Sequence, residues 1–122
     1  MLAFVVDDSA TTAVTYRRIV EKAGLVGRSF SSPIEALEAL ACETPDIVFV
    51  DYQMPELDGI AFIELMREIC TETPVVLVTA NHDADLRRRA LRAGASRVFV
   101  KPVDLVALRT CVHDVLDKRS AA

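Results

Sequence analysis

Four apolar runs in this chain each end on residues able to do metal or phosphoryl chemistry. Phe4-Val5-Val6 leads into Asp7-Asp8, Ile47-Val48-Phe49-Val50 into Asp51, Val75-Val76-Leu77-Val78 into Thr79, and Val98-Phe99-Val100 into Lys101-Pro102. In an open parallel sheet, ligands bind beyond the carboxyl ends of the strands, near the point where strand order reverses. Three carboxylates, a hydroxyl and an ammonium would then share one pocket. Clustered carboxylates repel one another and need a cation or Lys101 to offset them. Octahedral Mg²⁺ keeps several waters and takes only one or two protein carboxylates. Asp7 and Asp8, pointing in different directions, can therefore divide the work, one binding directly and the other through water.

Positioning these groups requires strands and helices in alternation. Tyr16, Ile19, Val20 and Ala23 follow the i, i+3, i+4, i+7 template of a helix face, and Gly24 supplies a stop. Ser32 and Pro33 read as an N-cap and first helical residue, opening a helix expected to bury Ile34, Leu37 and Ala41. Phe62, Leu65, Met66 and Ile69 predict the inner face of a third helix, and Leu105, Leu108, Val112, Val115 and Leu116 that of the last. Between Asp83 and Ala93 the apolar positions are small or sparse and four arginines crowd the segment, which predicts a helix held loosely to the core. The continuous apolar runs at 47–50 and 75–78 read as central parallel strands buried on both faces. Val26 to Phe30, interrupted by Gly27, Arg28 and Ser29, reads as an edge strand. The pattern is α/β, a (βα)5 doubly wound sheet with helices on both faces. One domain covers 1–122, with 118–122 expected as a frayed tail or the start of a linker.

Bulk properties narrow the function. A formal net charge of -4 over 122 residues argues against direct nucleic-acid binding by the chain as a whole. No apolar run approaches the ~20 residues of a membrane span, and Met1 leads straight into a short apolar run with no basic segment before it. Cys42, Cys70 and Cys111 have neither disulfide-framework nor zinc spacing. A cytoplasmic location is the expectation.

The set Asp7-Asp8, Asp51-Tyr52-Gln53-Met54-Pro55-Glu56-Leu57-Asp58-Gly59, Thr79-Ala80 and Lys101-Pro102 resembles the receiver domain of two-component response regulators, of the chemotaxis-regulator type, over residues 2–118. The resemblance implies a flavodoxin-like, five-stranded parallel sheet of order 2-1-3-4-5. It implies that Asp51 accepts a phosphoryl group from a histidine of a sensor kinase or histidine phosphotransfer protein. Asp8, Asp51 and the backbone carbonyl of Gln53 would hold Mg²⁺, with Asp7 acting through water. Thr79 and Lys101 would contact the phosphoryl oxygens, and the Gln53 and Asn81 side chains would tune its lifetime. The peptide bond before Pro102 would be cis. Such a chain is not an enzyme on an outside substrate; it phosphorylates and dephosphorylates itself. Its output face would be the fourth helix, fifth strand and fifth helix, used in a homodimer or against an output domain.

One position departs from that pattern. Val98 stands where receivers carry an inward-turning aromatic ring, and strand alternation sends the neighbouring Phe99 to the opposite face. Output is therefore expected to lean on the arginine-rich fourth helix. Two other readings are a degenerate receiver that only binds partners and a Mg²⁺-dependent phosphatase of the haloacid-dehalogenase type. The latter fits poorly, because its acids are spaced Asp-x-Asp after the first strand.

Overall fold

The computed structural model describes residues 1–121. Strand and helix alternate as β1 (Leu2–Val6), α1 (Ala10–Lys22), β2 (Val26–Phe30), α2 (Pro33–Cys42), β3 (Ile47–Asp51), α3 (Gly59–Ile69), β4 (Val75–Thr79), α4 (Ala84–Ala93), β5 (Arg97–Val100) and α5 (Leu105–Ala121). The segment expected as a tail from 118 thus stays helical through Ala121, and Ala122 lies outside the described residues. The strands form one parallel, flavodoxin-like sheet of order β2-β1-β3-β4-β5. Every residue of β3 and β4 is buried, as expected for central strands covered on both faces. On the edge strand β2, Val26 is 63% exposed. Arg28 pairs there with Glu43 and lays its guanidinium over the Phe4 and Phe30 rings. No helix among the described residues is long and apolar enough to cross a membrane.

Two cores sandwich the sheet. On one face α2, α3 and α4 pack over Phe4, Val6, Val48, Val50, Val75, Leu77 and Val98. On the other, α1 and α5 cover Ala3, Val5, Ile47, Phe49, Val76 and Val78, with Phe99 packed against that side. Val98 and Phe99 therefore face opposite ways, as strand alternation requires.

Two helices, α2 and α3, turn inward a face that only partly matches the one expected. In α2 the buried residues are Pro33, Ala36 and Leu40, with Leu37 half-buried and Ile34 and Ala41 exposed. In α3 the inward set is Gly59, Ile60, Phe62, Ile63 and Met66, while Leu65 and Ile69 are exposed. The cause is local to the start of α3. A Cβ at Gly59 would lie 2.7 Å from the Asp51 carbonyl oxygen and 2.5 Å from Leu77 Cδ1, so the helix approaches the sheet on its glycine. That contact fixes the phase at 59, 62, 63 and 66. In α5 the expected face holds: Leu108 and Val112 are buried together with Cys111, while Val115 and Leu116 pack against the same core, and Leu105 alone of the expected set is exposed.

Helix ends follow the local chemistry. Ser32 accepts the Glu35 amide at 3.4 Å ahead of Pro33, and Asp58 accepts the Ala61 amide at 2.8 Å. Gly94 closes α4 with φ +119, beneath the Arg67 guanidinium, which donates to the carbonyls of Gly94, Cys70, Thr71 and Thr73. Helix α4 itself buries only Leu86 and Ala90. Leu86→Ala should therefore cost about 2–5 kcal/mol in denaturant unfolding, whereas Leu65→Ala, on the outer face of α3, should stay within about 0.5 kcal/mol of the parent.

Candidate functional site

Strand register assembles the site. Val6 is level with Val50 across β1 and β3, so Asp7 and Asp51 emerge side by side. Thr79 is level with Val100, which puts Lys101 next along. A backbone bond of 2.7 Å from the Lys101 amide to the Thr79 carbonyl ties these two ends together. The Lys101–Pro102 peptide is cis.

The expected acids meet. One carboxylate oxygen from each of Asp7, Asp8 and Asp51 lies within 4.8 Å of the others. Their surroundings differ sharply: Asp7 is 2% exposed and Asp51 8%, while Asp8 stands open to solvent. The Oδ1 atom of Asp7 accepts the Ser9 amide at 2.9 Å, and its Oδ2, fully buried, has no partner among the described residues. Burial raises the Asp7 pKa; Asp51 and Asp8 push the same way, and the Ser9 amide and Lys101 oppose them. Lys101 Nζ lies 3.1 Å from Asp51 Oδ1. A single lysine thus faces three carboxylates, and a buried carboxylate oxygen is left without a donor. Both features suit a multiply charged, oxygen-loving cation. Beneath them, Tyr16 stacks on Phe49. Burial pushes its phenol up to about 12, with the charges of Asp7 and then Asp51 adding to the effect.

Around the acids lies an open cleft lined by Asp8, Tyr52, Gln53, Met54 and Asp58. The Gln53 side chain is exposed and lines this cleft together with Asp8. The loop turns sharply after Pro55: Glu56 has φ +76 and the Leu57 amide bonds the Pro55 carbonyl at 2.9 Å, the pattern of a γ-turn. The Gly59 amide then reaches the Tyr52 carbonyl at 2.8 Å and delivers the chain into α3.

Thr79 is buried, and its hydroxyl oxygen accepts the Asn81 amide at 3.0 Å. The Asn81 side chain accepts the Asp83 amide at 2.8 Å, and Asp83 accepts the Asp85 amide at 2.9 Å. A chain of side-chain turns therefore runs from the Thr79 hydroxyl into the first turn of α4. Val98 is buried against the α3–α4 core, and Arg87 of α4 donates to its carbonyl at 3.3 Å. His82 and His113 are both exposed and outside the site.

Sequence reasoning missed Ser9, Asp83 and Arg87. The first two carry a readable signal, since Asp-x-Ser and Asn-x-Asp are patterns in which a side chain caps the amide two residues on. Arg87 carries none, because its bond is to a backbone atom eleven residues away.

Comparison with known proteins agrees with this geometry. The family model for the response regulator receiver domain matches residues 3–113. The DNA-binding transcriptional regulator NtrC of Escherichia coli K12 is 35% identical over 104 residues, 85% of this chain and 22% of that protein. The regulatory protein AtoC of the same strain is 41% identical over 85 residues, 70% of this chain and 18% of that protein. The chain thus spans about a fifth of the length of these relatives. A Francisella response regulator receiver domain superposes with a TM-score of 0.89 at 24% identity, covering 97% of this chain and 98% of that one. A family match over most of the chain, the 2-1-3-4-5 sheet and the acidic cluster at its strand ends lead to one conclusion: this chain belongs to the receiver domains of two-component response regulators.

Proposed function

We propose that the chain is a phosphorylation-controlled switch in which Asp51 accepts a phosphoryl group from a histidine of a sensor kinase or phosphotransfer protein, with Mg²⁺ in the acidic hollow. The observation that carries this reading is the setting of Asp51, with Lys101 at 3.1 Å on one side and the carboxylates of Asp7 and Asp8 on the other. Phosphoryl transfer asks the protein for positioning and counter-charge rather than covalent chemistry of its own.

Asp51 attacks phosphorus, the phosphorus–nitrogen bond to the donor histidine breaks, and the electron pair leaves with the imidazole. Lys101 neutralises a developing equatorial oxygen. The Thr79 hydroxyl donates its proton to another, and its oxygen can still accept the Asn81 amide, because a hydroxyl carries one donor and two lone pairs. Asp8, Asp51 and the Gln53 carbonyl would hold the ion, and the orphaned Oδ2 of Asp7 would accept from a water bound to it. When bound, Mg²⁺ supplies the positive charge that three carboxylates and a phosphoryl group require. Water later hydrolyses the acyl phosphate, with the Gln53 and Asn81 amides flanking the phosphorus and setting its lifetime. No outside substrate is turned over.

Output runs through α4, β5 and α5, as a surface for a second copy or an output domain. The bonded path from Thr79 through Asn81 and Asp83 gives α4 a mechanical link to the phosphoryl site. Few buried contacts hold that helix, which puts it among the segments that respond at small energetic cost.

Three experiments examine these statements. With Mg²⁺ and acetyl phosphate, mass spectrometry should detect a base-labile phosphoryl adduct that Asp51→Asn abolishes; an adduct that survives this change would remove Asp51 as acceptor. Thermal unfolding of Asp7→Asn tests the acidic hollow. Because the folded pKa of Asp7 is raised, its ionisation destabilises the metal-free fold, and that cost disappears as pH falls below the folded value. Asp7→Asn should therefore melt higher than the parent in chelator at neutral pH and lose most of the stabilisation by added Mg²⁺. Hydrogen exchange across residues 80–95 should change when beryllofluoride and Mg²⁺ are added, and identical protection in both states would remove α4 as the output element.

A further inference from the structure

Where β4 and β5 begin, at the opposite end of the sheet from Asp51, a hollow of about 530 Å³ opens beside α5. Its floor is apolar, formed by Val76 of β4, Pro74 just before it, and Cys111 and Val115 one turn apart on α5. Cys111 is 2% exposed, and burial pushes its thiol pKa up; the charges of Arg97, Asp114 and Lys118 all bear on the same sulfur. It therefore stays a neutral thiol and behaves as a small hydrophobe. Neither Cys111 nor Val115 is large enough to fill the space between α5 and the strand ends, although packed interiors leave few voids larger than a water molecule.

Charge is confined to the rim, where it is balanced. Arg97 at the start of β5 and Asp114 of α5 face each other at 3.5 Å, both about half exposed. Glu72, from the loop ahead of β4, and Lys118, one turn beyond Asp114, belong to the same rim, and neither has an ion-pair partner among the described residues. One acid and one base are thus left unpaired above an apolar floor. The Ser96 hydroxyl, also on the rim, accepts the Val75 amide at 3.2 Å and keeps its own proton for a guest.

We propose that this hollow binds a small zwitterion with an apolar body, an α-amino acid carrying a branched or aromatic side chain. Lys118 and Arg97 receive its carboxylate, Glu72 and Asp114 its ammonium, and Val76, Cys111 and Val115 its side chain. A purely anionic guest would meet two carboxylates at the rim, and a purely cationic one two basic groups. An uncharged hydrocarbon would leave Glu72 and Lys118 as they are, unpaired. An apolar lining of about 300–1,000 Å³ with a few convergent polar groups is the usual form of a small-molecule site. The strand-end acids lie at the far end of the sheet, so the proposal stands whether or not Asp51 is phosphorylated.

Titration of the full chain with L-leucine or L-phenylalanine, followed by amide proton–nitrogen NMR, tests it. A Kd of about 0.5 mM is expected, with shifts gathered at Val76, Ser96, Arg97 and residues 111–118 and none at Asp8 or Asp51. Cys111→Phe, which fills the floor, and Lys118→Glu and Glu72→Lys, which unbalance the rim, should each weaken binding by about fivefold or more. Glu72 and Lys118 are exposed, so the two charge variants keep the fold even where Cys111→Phe disturbs it. Isovalerate, which lacks the ammonium, and isoamylamine, which lacks the carboxylate, should each bind more weakly than leucine by a similar factor. The proposal is overturned if neither amino acid shifts these signals, if the shifts gather at the strand-end acids instead, if isovalerate or isoamylamine binds as well as leucine, or if either charge variant keeps the parent affinity.

Discussion

Three carboxylates, each with an oxygen within 4.8 Å of the others and one of them carrying an oxygen sealed from water, are costly to assemble, and much of this fold can be understood as the means of assembling them. Side chains on mobile loops would swing apart under that repulsion. Here Asp7 and Asp51 leave adjacent parallel strands whose register is fixed by backbone bonds and by cores on both faces. Partial relief comes from two sources: the Ser9 amide on Asp7 and the Lys101 ammonium on Asp51. The remainder is an unmet demand for positive charge at one point. A site that is destabilised when empty is a site in which cation binding does the most for stability.

The same economy explains why the strand ends could be read from the sequence. A buried parallel strand is a short continuous apolar run, and its last residue is visible where the run stops. Four such runs in one sheet leave little freedom over where Asp7, Asp51, Thr79 and Lys101 must go. Helix phase is a different matter. Leu65 and Ile69 satisfy the apolar template beside Phe62 and Met66 as well as Ile60 and Ile63 do, so periodicity alone does not choose between them. The choice is made by Gly59, whose close approach to the Asp51 carbonyl is a three-dimensional fact. Burial also divided Asp7 from Asp8 in a way no local pattern announces, since both are aspartates that follow the same strand.

Helix α4 shows how sequence and coupling meet. Its arginines leave room for just two buried residues, Leu86 and Ala90. Its ends are held by different means: the carboxyl end by Arg67, which donates twice to the Gly94 carbonyl while binding the Cys70, Thr71 and Thr73 carbonyls after α3, and the amino end by side-chain bonds through Asn81 and Asp83. Two bonds from a guanidinium to one carbonyl are charge-assisted, whereas those at the amino end join neutral amides to single side chains and are each worth roughly 1 kcal/mol. The amino end, next to Thr79, is the weaker attachment.

Val98 then takes on a different meaning from a missing ring. A valine with a stiff χ1 has no alternative position to turn into, so information cannot pass by a side chain swinging between inside and outside. What joins α4 to β5 at this level is the Arg87 bond to the Val98 carbonyl, a contact between a long cationic side chain and a main-chain atom. It depends on where α4 lies and is indifferent to which residue occupies position 98. A switch built in this way would be read in the place and order of a helix and its arginines, on the surface where α4 and β5 meet solvent.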